Sequence, residues 1–173
     1  MTEQEKDEIL ATLTRGQAVL REAVQGVTLE GSMRSPRPGK WSILQCMEHV
    51  AITEGYLLAQ LEAAKRADVP MINADREAGI KAHGASRIRR FETPEVCKPK
   101  GDFDSLPEAF EHFLACRERT VEWVQNRQDD LRSWIAWHPM LGRVNCYEML
   151  LLMAAHPLRH AEQIEEIKAA CMA

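Results

Sequence analysis

Apolar residues recur along most of this chain at spacings of three and four, the period of helices that bury one stripe. Ile9, Leu13, Leu20, Val24 and Val27 form the first run, which Thr2 and Glu5 open as a capping box and which is expected to end before Gly31. The segment SMRSPRPGK breaks the pattern with two prolines and a glycine. Ser42 and Gln45 open a second run that is predicted to reach about Ala67. Ser105 and Glu108 open a third, with Pro107 tolerated in its first turn and Phe110, Phe113, Leu114, Val121 and Val124 as its buried stripe, fading near Gln128. Asn145, with Glu148 three residues on, caps a fourth that continues to about Ala170. No alternating pattern competes as a strand, and no internal repeat or low-complexity tract interrupts the chain.

The stretch from about Asp68 to Asp104 contains Pro70, Gly79, Gly84, Pro94, Pro99 and Gly101, with a short helix expected near Ala74 to Ala82. It is much longer than the roughly 2 to 8 residues that join antiparallel helix neighbours, so it reads as a crossover. The expected fold is therefore all-α: a four-helix bundle with a long crossover between helices 2 and 3 and one parallel neighbour pair. With 173 residues, a single domain spanning 1–173 is the expectation.

Charge and composition narrow the function classes. The formal net charge is −4 and the basic residues are interspersed with acidic ones, which argues against a nucleic-acid partner. The opening MTEQEKDEIL does not read as a secretory signal, and no apolar run is long enough to cross a membrane, so a cytoplasmic location without a membrane partner is expected. The five cysteines, Cys46, Cys97, Cys116, Cys146 and Cys171, are odd in number and dispersed within apolar patterns, which suits reduced thiols better than disulfides.

Against this ordinary background three of the six histidines stand out. His156 and His160 are four residues apart, about 40° around a helix and about 6 Å along it, so their imidazoles reach toward one point. They share their face with Met149, Met153, Ile164 and Ile167, which places them inside the bundle. Buried imidazoles need partners, because an unpaired polar group costs roughly 1 to 3 kcal/mol. Hydrogen-bonded packing is one answer and a shared metal ion the other; His49, in the middle of the second helix, is a candidate third ligand from across the bundle. Pro157 should kink the fourth helix beside His156, either to curve it around its neighbours or to aim the imidazole.

Three segments, GKWSILQCMEHV, HPMLGR and LLLMAAHPLRHAEQI, together resemble the DinB-like (DinB/YfiT-like) superfamily of metalloenzymes. The shared elements are a Trp-Ser pair opening the second helix, a histidine seven residues beyond the serine, a His-Pro-x-x-Gly turn, and a late His-x-x-x-His followed by Gln-Ile. The resemblance implies one divalent metal ion, zinc, nickel or iron-like, held by His49, His156 and His160, and commonly a homodimer. It also implies a small-molecule substrate, with a low-molecular-weight thiol as the partner in the activities known among relatives.

Three neutral imidazoles leave the charge of such an ion uncompensated and favour an anionic nucleophile. Such a nucleophile fits thiol-dependent S-transfer, which the resemblance alone places first, and metal-dependent hydrolysis, placed second; a non-catalytic metal-binding or stress-response role is third, kept because no Asp or Glu on the His156 face offers itself as an acid or base. Among surrounding residues, Gln163 is the expected outer partner of the histidines, Tyr56 a core aromatic, and Arg159 a solvated or interface charge. Arg87, Arg89 and Arg90 are expected on a solvated face, and His138 is expected to pin its turn by hydrogen bonding.

Overall fold

The computed structural model describes residues 1–172. Six helices, α1 Glu3–Val24, α2 Leu29–Met33, α3 Ile43–Glu62, α4 Ala74–His83, α5 Leu106–Gln125 and α6 Cys146–Met172, are joined by loops and three short strands. The four long ones are α1, α3, α5 and α6, and they form the bundle. Both reciprocal hydrogen bonds of the capping box are present at Thr2 and at Ser42. At the start of α6, Asn145 and Glu148 likewise exchange side-chain to backbone bonds of 3.0 and 2.8 Å.

Two core clusters define the helix directions. One gathers the start of α1 (Ile9, Leu13), the ends of α3 and α5 (Leu57, Leu58, Leu61, Val124) and the start of α6 (Met149, Leu150, Met153). The other gathers the end of α1 (Leu20, Ala23), the starts of α3 and α5 (Ile43, Met47, Phe110, Phe113) and the end of α6 (Ile164, Ile167). Hence α1 runs parallel to α6, α3 runs parallel to α5, and the two pairs are antiparallel to one another. The principal packing partners are α1 with α6, α3 with α5 and α3 with α6. The sequence reading allowed one parallel pair, across the crossover; the first and last helices make a second.

Several boundaries differ from the periodic pattern. Helix α1 stops at Val24 because Gln25 turns extended and Gly26 takes φ 74°; Val27 still packs on the core, and Thr28 caps the separate turn α2. Helix α3 ends at Glu62 and α5 at Gln125, short of Ala67 and Gln128. Strands are present after all: β1 Lys65–Arg66, β2 Trp134–His138 and β3 Gly142–Asn145 form an antiparallel sheet in the order β1-β2-β3, with Lys65 opposite Ile135 and Ala136 opposite Val144. These strands have two to five residues, too few to display a period-two pattern, and their pairing is what diverts residues 65–67 from helix.

Under the centre of the bundle sits a buried ion pair. Arg117 of α5 and Glu54 of α3 are each 1 % exposed and meet through two bonds of 2.8 Å. Arg117 also donates to the carbonyls of Leu13 in α1, at 3.0 Å, and Met153 in α6, at 3.4 Å. The last bond explains how α6 tolerates an internal proline. Pro157 has no N–H to offer Met153, four residues back, and the guanidinium supplies that missing donor. Gly16 of α1 makes room: a Cβ there would lie 3.3 Å from the Ala154 oxygen and 3.4 Å from Pro157 Cβ. One side chain thus ties all four helices together one turn before His156.

Candidate metal centre

Helix α3 delivers His49 and helix α6 delivers His156 and His160 to one end of a large cavity. Their ring centroids are 5.0, 4.6 and 4.3 Å apart and their planes are inclined by 62° to 65°, an arrangement of three rings around a common point. One nitrogen from each can be chosen so that all three lie within 4.8 Å of one another. The Nε2 atoms of His49 and His156 are 3.2 Å apart. Two nitrogens bound to one ion at about 2.0 to 2.1 Å with a tetrahedral angle would be about 3.3 Å apart.

The outer nitrogens of His49 and His160 are already engaged, which assigns their inner ones. His49 Nδ1–H donates to the Cys97 carbonyl at 2.6 Å, leaving the lone pair of Nε2 facing the cluster. Cys46 lies beneath His160: its thiol donates to the His160 carbonyl at 3.9 Å, and its sulfur lies 3.6 Å from His160 Nδ1, placed to accept that N–H. Burial pushes the Cys46 thiol up to about 12, so it stays protonated in this role. Trp41 packs against the His49 ring at 5.0 Å.

Burial also keeps the imidazoles neutral. His49 is lowered to about 4 by desolvation, against which its bond to Cys97 acts weakly. His156 and His160 lie well below the ordinary histidine range, first through desolvation and then through the neighbouring histidines and arginines. Three neutral rings with converging lone pairs suit a divalent cation. Without one, a proton must separate the facing nitrogens of His49 and His156.

The loop that orients His49 is held by the residue that precedes it in α3. Glu48 is buried at 1 % exposure, and one carboxylate oxygen accepts the backbone N–H groups of Lys100, Gly101 and Asp102 at 2.7 to 2.9 Å. One residue is about 100° around the helix, so it points away from the imidazoles, yet it anchors the segment that carries the Cys97 carbonyl. Nothing in the sequence pairs Glu48 with residues more than fifty positions away.

Other expectations divide. His138 accepts the N–H groups of Met140 and Leu141 at 3.2 Å through Nδ1, pinning its turn as anticipated, and it also lines the cavity. Tyr56 packs against the core. Gln163 is not a partner of the histidines: its side-chain oxygen accepts from Arg87 at 2.9 Å. Arg87 is not solvated either, since it pairs with both carboxylate oxygens of Glu166 at 2.9 Å and is 13 % exposed. Arg159 turns inward to line the cavity. The crossover folds back over α6, which gives Arg87 its partners, while Arg89 and Arg90 are exposed as expected.

The cavity has a volume of about 970 Å³, bounded by α3, α4, α6, the 36–41 loop and the 138–141 turn. All five cysteines are free, and among the described residues no helix is long and apolar enough to cross a membrane.

Comparison with known proteins identifies the family and the fold. The sequence model of the DinB superfamily matches residues 12–164. Among solved structures, YfiT from Bacillus subtilis superposes with a TM-score of 0.62 at 16% identity, covering 99% of this chain and 90% of its own. That protein is described as a probable metal-dependent hydrolase with an unusual four-helix bundle topology. No protein of curated function matches the chain.

Proposed function

Because the chain belongs to the DinB superfamily, we propose that it is a metal-dependent enzyme whose ion is held by His49, His156 and His160 and whose reaction is hydrolysis of a small molecule. The carrying observation is the convergence of three neutral imidazoles in the wall of an open cavity, two of them with their outer nitrogens already bonded. A divalent ion held by these three residues would supply Lewis acidity for activating a nucleophile.

The chain's own residues do the rest. The Cys97 carbonyl and Cys46 sulfur hold two rings in the tautomer that presents Nε2. Burial withholds protons from all three rings at neutral pH. The His138 Nδ1 is occupied by backbone donors, so its Nε2 carries the proton and can donate to a substrate in the cavity. The description of YfiT as a probable metal-dependent hydrolase supports placing hydrolysis first.

Thiol-dependent S-transfer is the second reading, favoured by a cavity roomy enough for a thiol and an electrophile together. The test is metal analysis of protein purified without a histidine tag, followed by assays with ester, amide and electrophile panels, with and without added thiols. Cleavage without thiol supports hydrolysis, and turnover only with thiol replaces it by transfer. Full metal occupancy in His49→Ala, His156→Ala and His160→Ala alike overturns the site itself.

A further inference from the structure

The cavity wall beyond the histidines carries a charge pattern at odds with the rest of the molecule. Six cationic side chains line it: Arg37, Lys40, Arg76, Arg87, Arg90 and Arg159. Two carboxylates, Glu92 and Glu166, face them, in a chain whose formal charge is −4. Two of the cations are already neutralised. Arg76 forms a bidentate pair with Glu148 at 2.7 and 2.6 Å, and Arg87 forms one with Glu166. Among the described residues, Arg37, Lys40, Arg90 and Arg159 meet no carboxylate within salt-bridge distance, and Glu92 is the one cavity carboxylate left unengaged.

Arg159 is the best placed of the four. It neighbours His160 on α6, is half-buried, and has its guanidinium 5.4 Å from the centre of the Phe91 ring. One of its nitrogens donates to the Arg89 carbonyl at 2.6 Å, which fixes the side chain against the cavity wall. A guanidinium has five N–H donors in a rigid fork, so the remaining ones are available to a ligand. Arg90 and Arg159 both add to the field that holds the Glu166 carboxyl below its ordinary range, after the direct bond from Arg87. Arg37 and Lys40 extend the positive wall to the exposed rim.

We infer that this wall is an anion subsite: the substrate carries a carboxylate or phosphate, which Arg159 anchors beside the three histidines while Arg90, Arg37 and Lys40 attract it at the mouth. This assignment deepens the enzyme reading given above and rests on it for the word substrate, but its binding chemistry is that of the arginines. A planar guanidinium matches either anion bidentately. Exposed cations at the rim raise the local concentration of an anionic ligand in a salt-dependent way.

Calorimetric titration with three probes of similar shape tests it: phenylacetate, phenylphosphonate and the neutral 2-phenylethanol. Each is measured on the metal-loaded protein and after removal of metal by a chelator. The two anions should bind at least about tenfold more tightly than the alcohol, from the energy of a charge-assisted bond, and whichever binds better identifies carboxylate or phosphate. Arg159→Gln should lose about that factor. Because Arg159 also holds the 89–91 loop, Arg90→Gln and Lys40→Gln, which break no bond in the structure, serve as the second arm and should each weaken the anions alone. Equal affinity for the anions and the alcohol, or anion binding unchanged in all three variants, overturns the subsite. Anion binding that vanishes with the metal and ignores the arginines assigns the anion to the ion instead, which also overturns it. A chain that takes up no metal yet binds anions through Arg159 refutes the enzyme reading and leaves the subsite standing.

Discussion

Replacing Arg117 by methionine tests the account of how α6 survives its proline. The substitution keeps the bulk of the side chain but strips Glu54 of both 2.8 Å bonds, leaving a carboxylate that is 1 % exposed with Thr120 as its remaining donor. Removing one partner of a buried ion pair costs about 3 to 5 kcal/mol. The Met153 carbonyl, which Pro157 cannot serve, loses its donor as well, and an orphaned buried group costs about 1 to 3 kcal/mol. The two effects share one side chain and add incompletely, so about 4 to 6 kcal/mol is expected, a large part of the roughly 5 to 15 kcal/mol that holds a domain together. At about 2 to 4 °C per kcal/mol for a chain of this length, the Tm should fall by roughly 10 to 20 °C. Urea unfolding followed by circular dichroism measures the free energy directly. The double variant Glu54→Leu/Arg117→Met, which removes both charges, should recover most of the ion-pair part and retain only the carbonyl's cost. In a Pro157→Ala background, where residue 157 regains an N–H, Arg117→Met should be milder by the carbonyl's share. A loss below about 1 kcal/mol for Arg117→Met, far under the range for a broken buried pair, would show the reasoning to be wrong, as would a double variant no more stable than the single.

Further outcomes follow from the site. His49→Ala, His156→Ala and His160→Ala should each weaken metal binding by more than the roughly 10- to 100-fold seen for outer partners of ligands; plasma emission analysis after dialysis checks this, and undiminished occupancy counts against it. Glu48→Ala, which frees the 100–102 backbone, should cost about 2 to 3 kcal/mol from its charged hydrogen bonds. Through Cys97 and His49 it should also loosen the metal roughly tenfold, and a stability loss without any change in metal affinity would separate the loop from the site. The pH dependence has a definite sign. His49 is held near 4 when folded against about 6.5 when unfolded, so the unfolded chain binds the extra proton between those values. The histidines' contribution is therefore complete above about pH 6.5 and lost as pH falls toward 4. Metal-free protein should lose Tm steadily from pH 7 to 5, and metal-loaded protein, whose bound imidazoles take up no proton until the ion leaves, at least as much, whereas a flat profile for the metal-free form would contradict the neutral buried imidazoles. Gly16→Val should cost about 1 to 3 kcal/mol by forcing α1 away from Ala154 and Pro157, detectable by the same urea titration.

The helices were legible because their information is local. Thr2 with Glu5, Ser42 with Gln45 and Asn145 with Glu148 satisfy backbone donors three residues away, so the sequence spacing is the structure. His156 and His160 were legible as an inward pair for the same reason, since a four-residue step returns to one helix face. His49 was only a candidate by position, and its place in the site rested on resemblance until the two helices were seen to pack.

What tertiary structure alone decided involves partners far apart in the chain, where spacing carries no information. The second parallel pair depends on α1 packing against α6. The short sheet depends on Lys65 and Arg66 meeting Ile135 and Trp134. Glu54, four residues from Val50 and Leu58, and Arg117, four from Phe113 and Val121, stand on the apolar stripes of their own helices, so their burial has a local signal; that they pair with each other was decided only when four helices enclosed them. Of the crossover arginines, Arg89 and Arg90 are exposed as read, whereas Arg87 gains Glu166 and Gln163 only because that segment folds over α6. A charge's partners are set by distance in space, and sequence specifies that distance directly only within a turn or two of helix.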